Sequence, residues 1–177
     1  TLTGCTLKAF SPIAGGSDFC LVLLQTTPPQ SFSPYYNGWN RSATATAGGV
    51  GIHHPAGDIK KISTYTQTPV TATWTGGAAN AHWNFAYVAT TNGHGVTEGG
   101  SSGSPMFNSA GLIVGTLTGG NSACTNTSGS NLYGKFWYHW NQSTTTPLTE
   151  HQLVSWLDPT SAGSTSVNGY DPYSGYP

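Results

Sequence analysis

Gly99-Gly100-Ser101-Ser102-Gly103-Ser104-Pro105 is the stretch from which the rest of the sequence is best understood. It sets serines between glycines and ends in a proline, and the apolar run Leu112-Ile113-Val114 follows it as a buried strand would. Glycine permits positive φ angles and lets backbone N–H groups approach a developing oxyanion. The stretch therefore fits a loop that carries a nucleophilic serine. The plain alternative is a flexible Gly/Ser loop, because the chain contains 24 glycines.

The composition excludes several classes of protein. The length of 177 residues fits one domain or slightly more, and 36% apolar residues with 12% aromatic residues suffice for a packed core. Only 6% of the residues are charged and the net charge is −1, so no nucleic-acid or polyanion partner is predicted. No apolar run approaches the ~18 residues that a membrane span requires, so no membrane partner is predicted either.

Short apolar segments separated by Gly, Pro and Asn predict an all-β fold, an antiparallel barrel or sandwich. The predicted strands span residues 2–10, 19–24, 43–54, 61–65, 70–75, 82–90, 111–118 and 132–140. A proline-rich crossover over residues 26–34 is the candidate boundary between two lobes.

One helix is predicted near the C-terminus. Thr149-Glu150-His151-Gln152 has the pattern of a capping box, with Thr149 as the N-cap. Leu153, Trp156 and Leu157 then share one helical face, and Asp158-Pro159 ends the helix. Residues 160–177 show no periodicity and are predicted to form an extended tail or a linker.

The cysteines indicate an oxidising compartment. Cys5 and Cys20 flank a turn-rich segment and could face each other across a hairpin. Cys124 would then lack an internal partner, which points to a partner outside the chain or to a free thiol. Together with the low charge, this cysteine usage favours a secreted, extracellular protein.

Attack by serine on an acyl group needs a hydroxyl, oxyanion donors, a base and a group that orients the base. Ser102 is the predicted nucleophile, and the amides of Gly100 and Ser102 are the predicted oxyanion donors. Asp18 is the best carboxylate to orient a base, since it lies at the mouth of the predicted buried strand 19–24. Its alternative role is that of an Asp that caps a turn.

None of the six histidines lies in a context typical of a general base. His53 and His54 end a predicted strand and could be structural, whereas His82 and His139 lie among aromatic residues and are predicted to be packing residues. Adjacent strand residues point to opposite faces, so His53 and His54 are poorly placed to share a metal ion. No metal site and no cofactor are predicted. The histidines are His53, His54, His82, His94, His139 and His151.

The sequence resembles the trypsin-like serine proteases of the chymotrypsin fold, and most closely the bacterial lysyl endopeptidase group. Gly100 to Pro105 resembles the nucleophile motif, and Ser17-Asp18-Phe19 with the apolar run after it resembles the segment of the catalytic aspartate. The likeness runs from about Thr3 to about Gly169. Its further matches are Tyr36-Asn37-Gly38-Trp39-Asn40-Arg41, Ile52-His53-His54-Pro55, Lys60-Lys61-Ile62-Ser63, Gly95-Val96-Thr97-Glu98 and Trp156-Leu157-Asp158-Pro159.

The resemblance implies an antiparallel Greek-key β-barrel fold and an order of His, Asp and Ser along the chain. Asp18 and Ser102 fit that order, and the histidine would lie upstream of Thr1. Residues 1–27 would be a remnant of a first barrel, 28–148 the second barrel, 149–159 the C-terminal helix and 160–177 the tail. The resemblance also implies a partner for Cys124 in the missing N-terminal segment, and a local pair of Cys5 with Cys20.

The implied function is that of a secreted serine endopeptidase whose substrates are proteins or peptides. The chain alone, lacking its base, is predicted to be inactive. The implied substrate-binding residues are Thr97, Thr118, Gly119, Gly120 and Asn131. In lysyl endopeptidases an aspartate stands where this chain has Asn131, and a histidine where it has Thr118. The preference for a basic residue before the cleaved bond (the P1 residue) should therefore be weaker, because a buried ammonium needs an opposing charge.

Two alternatives from other classes remain at this point. A non-catalytic secreted β module that binds carbohydrate or protein would use exposed tryptophans, although such rings more often fill a core. A degenerate protease homologue that only binds would keep the fold and lose the activity. The tryptophans concerned are Trp39, Trp74, Trp83, Trp137 and Trp140.

Overall fold

The N-terminal part is a separate antiparallel hairpin in the computed structural model, which describes residues 1–174. Strands β1 (Cys5–Ser11) and β2 (Phe19–Leu24) pair with each other and with no other strand in the described part of the chain. Their inner side chains Ala9 and Phe19 are buried, whereas much of the opposite face is apolar and exposed.

The remaining strands form one large sheet and one small hairpin. The chain continues with β3 (Trp39–Asn40), β4 (Gly49–His53), β5 (Lys61–Tyr65), β6 (Val70–Ala72), β7 (His82–Phe85), β8 (Ala89–Thr90), β9 (Gly93–His94), β10 (Pro105–Asn108), β11 (Ile113–Gly120) and β12 (Asn131–Lys135). Three short helices follow, α1 (Phe136–Asn141), α2 (Leu148–His151) and α3 (Val154–Leu157), before β13 (Ser166–Val167).

The large sheet has the order β5-β4-β10-β11-β12-β7-β6, with every pair along that path antiparallel. β3 pairs in parallel with β11 and antiparallel with β13, and β8 pairs with β9. The predicted all-β, antiparallel fold of the chymotrypsin-like type is confirmed. Within residues 1–174 no helix is long and apolar enough to cross a membrane.

Two aromatic cores hold these elements together. One lies inside the large sheet and contains Tyr65, Trp83, Phe85, Tyr87, Met106, Leu117 and Tyr133. The other joins the hairpin to the C-terminal helices through Ala9, Phe19, Phe136, Trp140 and Leu153. Trp39 packs against Phe136 and Trp140, with ring centroids 5.5 and 4.7 Å apart. Three of the five tryptophans considered above thus pack into the cores, which favours the core role over a sugar-binding role for them.

The predicted strand over residues 132–140 is wrong in its second half. The chain leaves β12 at Lys135 and forms α1 over Phe136–Asn141. The run Phe136-Trp137-Tyr138 has the aromatic composition of a strand. The segment is helical because a helix places Phe136 and Trp140, four residues apart, on the same buried face.

The predicted C-terminal helix is divided in two. α2 and α3 are separated at Gln152, whose φ and ψ of −142° and 141° are extended. Pro147, not Thr149, is the N-cap residue, and no side chain caps this end, so the predicted capping box does not form. Gln152 instead donates a hydrogen bond of 2.6 Å to the carbonyl of Ser143. This contact explains why the amide faces inward and the helix breaks.

The strand register contradicts the predicted disulfide between Cys5 and Cys20. Cys5 lies opposite Leu24, and Cys20 lies opposite Phe10. The two cysteines therefore stand four residues apart along the hairpin, roughly 13 Å, whereas a disulfide needs Cα atoms within about 7 Å. Cys5, Cys20 and Cys124 are all free and exposed.

The predicted tail is bound to the rest of the chain over much of its length. β13 pairs with β3, and Tyr170 forms an isolated bridge with Tyr36. The Tyr173 hydroxyl donates to the Pro28 carbonyl at 2.8 Å. The last three positions of the predicted tail, 175–177, lie outside the described residues.

Candidate active site

The loop over Gly99 to Pro105 is held at both ends by backbone hydrogen bonds. The amide of Gly103 donates to Leu117 on β11 at 2.8 Å, and Leu117 donates to Ser104 at 2.9 Å. At the other end, Ala56 donates to Gly99 at 2.8 Å. Gly100 and Gly103 have φ angles of 95° and 80°, which side chains with a Cβ rarely adopt. The glycines are therefore needed for the shape of the loop.

The two adjacent serines of the loop have different environments. Ser101 is 1% exposed, and its Oγ lies 2.9 Å from Nδ1 of His53 and accepts a hydrogen bond from the amide of Glu98. Ser102 is exposed to solvent. Of the hydrogen bonds found in residues 1–174, none involves the Ser102 hydroxyl or the amides of Gly100 and Ser102. The predicted nucleophile and both predicted oxyanion donors are thus free to meet a ligand.

Asp18 and Ser102 line the same cleft, although they lie far apart in the sequence. The cleft has a volume of about 320 Å³, and its remaining lining comes from Phe19, Cys20, Gly103, Thr116 and Leu117. In the described chain no hydrogen bond joins the Asp18 carboxylate to a nearby amide, so the alternative role of Asp18 as a turn cap is not observed. Asp18 has a positive φ of 61°, a conformation that Asp tolerates better than most residues.

No histidine lines this cleft within the described residues. His53 is buried between Ser101 and Ser63, which confirms the structural role considered for it, and burial lowers its pKa. His82 and His139 are buried, and burial lowers the pKa of His82 and lowers that of His139 to about 3. The other three bind backbone carbonyls: His54 that of Asp58, His94 that of Gly95 and His151 that of Phe10.

Three of the predicted substrate-binding residues meet in a polar cluster, which also includes Ser122. The hydroxyls of Thr97 and Ser122 each donate to Oδ1 of Asn131 at 2.6 Å. The Asn131 amide faces the carbonyls of Phe85 and Gly129 at 3.4 and 3.5 Å, and since carbonyls only accept, this fixes which end of the side chain faces the hydroxyls. Gly120 pairs directly with Asn131 across β11 and β12, which brings it to the same place.

Thr118 and Gly119 lie beside this cluster with His82, which the sequence assigned to packing, and Trp74, which it considered only for a carbohydrate-binding module. The Thr118 hydroxyl lies 3.1 Å from Nε2 of His82. A Cβ on Gly119 would come within 2.9 Å of the Trp74 ring, so the glycine allows the indole to lie against the strand. Ser122, His82 and Trp74 come from separate segments, and no local spacing in the sequence links them.

The polar cluster carries no carboxylate. Glu98 follows Thr97 in the sequence but lines a different cleft of about 360 Å³, together with Lys61, His94 and Cys124. Asn131 itself is fully buried and neutral. A charged ligand placed on the hydroxyls of Thr97 and Ser122 would therefore have no opposing charge from these residues.

In residues 1–174 no three His, Cys, Asp or Glu side chains are grouped so that they could hold a metal ion. The cleft offers a free hydroxyl and a carboxylate, and the loop that carries the hydroxyl has two unoccupied backbone amides. This set fits serine attack on an acyl group once a base is supplied.

The chain is similar to a known protein family and to known proteins. The family model described as the C-terminal domain of lysyl endopeptidase matches residues 1–136. Over 114 residues the chain is 37% identical to the lysyl endopeptidase of Pseudomonas aeruginosa. That alignment covers 60% of this chain but only 22% of the relative, so the chain spans a minor part of that protein.

Two crystal structures of the Rv3671c protease of M. tuberculosis, both in an inactive form, are also similar. Their TM-scores are 0.45 and 0.47, each at 14% sequence identity. Each alignment covers 74% of this chain, and they cover 58% and 60% of the solved chains.

Proposed function

Because the chain belongs to the family of the lysyl endopeptidase C-terminal domain, we propose that it forms part of a secreted serine endopeptidase. The observation that carries the proposal is the cleft that Ser102 shares with Asp18, together with the unoccupied Ser102 hydroxyl and the two unoccupied amides of its loop. The low fraction of charged residues, 6%, supports secretion.

The proposed reaction is acyl transfer through Ser102. A histidine takes the Ser102 proton as Oγ attacks the carbonyl carbon of the scissile bond, and the amides of Gly100 and Ser102 bind the oxyanion. The histidine then gives that proton to the departing amine, and the acyl group stays on Ser102. The histidine next takes a proton from water as the water oxygen attacks the acyl carbon. It then gives this proton to Oγ of Ser102, which releases the acid and restores the hydroxyl. Asp18 orients the histidine and stabilises its protonated form.

The base is proposed to come from a segment outside this chain, which would pack on the hairpin. This is supported by the exposed apolar face of β1 and β2, since large apolar patches mark surfaces that other groups cover. Its side chains are Leu7, Val22 and Leu24, between 43% and 55% exposed. A disulfide from that segment to the exposed Cys124 would tether it, and the 360 Å³ cleft beside Cys124 gives a segment room to lie there.

The substrate pocket is proposed to be only weakly selective for lysine. The Asn131 cluster offers hydroxyl oxygens and a neutral amide, and a lysine ammonium buried there would lack a counter-charge. In the full-length protein, Asn131→Asp should raise kcat/KM for a Lys substrate relative to its Gln analogue by about tenfold or more. Asn131→Ser, which has no charge, is the matched control. If Asn131→Asp leaves the ratio of the kcat/KM values for the Lys and Gln substrates unchanged, this cluster does not bind the P1 side chain.

Hydrolysis of peptide libraries by the full-length protein tests the activity itself. The wild type should cleave, and Ser102→Ala should reduce kcat by at least about a thousandfold, leaving only what binding and the oxyanion donors supply. The chain of residues 1–177 alone should show that same background rate. Equal cleavage by the wild type and Ser102→Ala would show that Ser102 is not the nucleophile.

A further inference from the structure

Asp18 is held by its neighbours on both sides. Ser17 is completely buried, and Phe19 is buried in the core beneath the hairpin. The positive φ of Asp18, 61°, turns the chain sharply between these two anchored residues. A carboxylate that must orient a base needs a fixed direction, and a strained residue keeps its conformation only when its surroundings enforce it.

His139 of α1 makes the contacts that enforce this conformation. Its Nδ1 lies 2.8 Å from the Ser17 hydroxyl, and its Nε2 lies 3.1 Å from the hydroxyl of Thr116 on β11. The Thr116 hydroxyl in turn donates to the backbone carbonyl of Asp18 at 3.4 Å. One ring thus reaches the residue before Asp18 directly, and Asp18 itself through a single hydroxyl.

Only one arrangement of donors and acceptors lets the Thr116 hydroxyl bond both the Asp18 carbonyl and the His139 ring. The Asp18 carbonyl can only accept, so the single proton of the Thr116 hydroxyl is used there. Nε2 of His139 must therefore be the nitrogen that carries the proton and donates to Thr116. Nδ1 is then an acceptor, and the Ser17 hydroxyl donates to it. Burial lowers the pKa of His139 to about 3, so the ring is neutral at ordinary pH and carries a single proton.

The ring has no room to turn away from these partners. The Phe19 ring lies against it, with centroids 4.7 Å apart. A Cβ on Gly134 would come within 2.6 Å of Cε1 of His139 and within 2.2 Å of the Ser17 carbonyl. Only glycine at position 134 lets β12, the ring and the Ser17 backbone pack this closely.

We propose that His139 is a positioning residue, which fixes the direction of the Asp18 carboxylate through Ser17 and Thr116 and does not itself touch the substrate. The kinetic part of this inference rests on the proposed peptidase function, whereas the hydrogen-bond arrangement does not. The sequence assigned His139 to packing alone, because the partners of the ring lie in two distant segments.

Replacement of Thr116 in the full-length protein tests the kinetic part. Thr116→Val keeps the shape but removes the hydroxyl, and we expect kcat to fall by about 10- to 100-fold with KM unchanged, since a small misplacement of a catalytic group costs this much. Thr116→Ser should restore kcat to within about threefold of the wild type, because it restores the hydroxyl. Equal kcat values for Thr116→Val and the wild type would overturn the proposal. It would also be overturned if both variants unfold at the wild-type temperature and Thr116→Ser does not restore kcat.

Nitrogen NMR of the ring tests the arrangement independently of any activity. The chemical shifts of His139 should show a proton on Nε2 and none on Nδ1 between pH 5 and pH 8, and Ser17→Ala should move the Nδ1 signal. A proton on Nδ1 would overturn the inference. If the full-length wild type hydrolyses no peptide while the NMR result is as expected, the proposed function fails and the arrangement around Asp18 stands.

Discussion

At the scale of single residues, what distinguishes the candidate nucleophile is exposure and not sequence context. Ser101 and Ser102 have the same kind of neighbours in the chain, yet Ser101 is buried against His53 whereas Ser102 faces the cleft. The sequence predicted Ser102 from its place in the motif. The environment of Ser101 shows that this neighbour has a structural task instead.

Ser101→Ala should therefore affect stability more than chemistry. The substitution leaves Nδ1 of the buried His53 and the amide of Glu98 without their partner, which costs about 1–3 kcal/mol. Urea unfolding measures this loss, with Ser109→Ala, in an exposed turn, as the control expected to change stability by less than about 0.5 kcal/mol. Equal stability of the two variants would contradict the role of Ser101.

The buried histidines make stability depend on pH. Unfolded His139 binds a proton near pH 6.5, but folded His139 does so only near pH 3, so the unfolded state binds more protons between these values. The folded state should lose about 2 kcal/mol between pH 6.5 and pH 5, and His53 and His82, whose pKa values are also lowered, add to this loss. Thermal unfolding over this range should show a falling Tm, with a shallower slope in His139→Gln. A Tm that stays level down to pH 5 would be inconsistent with a buried neutral His139.

At the scale of elements, local patterns predicted the strands whose environment is simple. The hairpin strand Phe19–Leu24 and the edge strand Lys61–Tyr65 occur as predicted, because each is a short run bounded by turn residues. The patterns predicted the wrong element where tertiary packing determines the conformation. The aromatic run after Lys135 is helical, which buries Phe136 and Trp140. The predicted C-terminal helix is interrupted at Gln152, whose side chain donates a hydrogen bond to the Ser143 carbonyl.

The candidate site shows the same division. Ser102, Gly100 and Asp18 could be found from motifs, because each lies in a short segment with a recognisable order of residues. The cluster of Thr97, Ser122 and Asn131 could be found only in part, since Ser122 carries no local signal. The contacts of His139 depend on residues from β11 and from the turn before β2, which no pattern in one segment reveals.

The close packing of β12 against the hairpin gives a prediction for Gly134. A Cβ at this position would meet backbone at 2.2 Å, so Gly134→Ala should destabilise the fold by about 3 kcal/mol. Gly99→Ala is the matched control, because its Cβ would meet nothing within 4 Å and its φ is not positive. Chemical unfolding of both variants decides the matter. A loss for Gly134→Ala no larger than for Gly99→Ala would show that the hairpin does not pack as described.

At the scale of the whole molecule, the hairpin of β1 and β2 exposes several large apolar side chains to solvent. Leu7 and Leu24 are 55% and 45% exposed, on strands whose other face is packed against α1 and α3. The cleft between the hairpin and β11 has a carboxylate and a hydroxyl but no histidine among its lining residues. Both observations support the proposal that a further segment covers the hairpin and supplies the base.

Leu7→Gln should therefore have different effects on the stability of two forms of the protein. In the chain of residues 1–177 it should leave stability unchanged within about 0.5 kcal/mol, because the side chain is largely exposed there. In the full-length protein it should cost about 1.5–3 kcal/mol, the loss expected when a buried leucine is removed. Ile59→Gln, at a position 72% exposed between β4 and β5, should be neutral in both forms. Equal effects of Leu7→Gln in the two forms would argue against a covering segment.

The most direct measurement is labelling of the full-length protein with a fluorophosphonate that reacts with activated serines, followed by mass spectrometry of the tryptic peptides. We expect one adduct, on Ser102, that is absent in Ser102→Ala, persists in Ser101→Ala and is strongly reduced in Asp18→Asn. No adduct on folded wild-type protein, or an adduct on Ser101 or Ser104 instead, would contradict it.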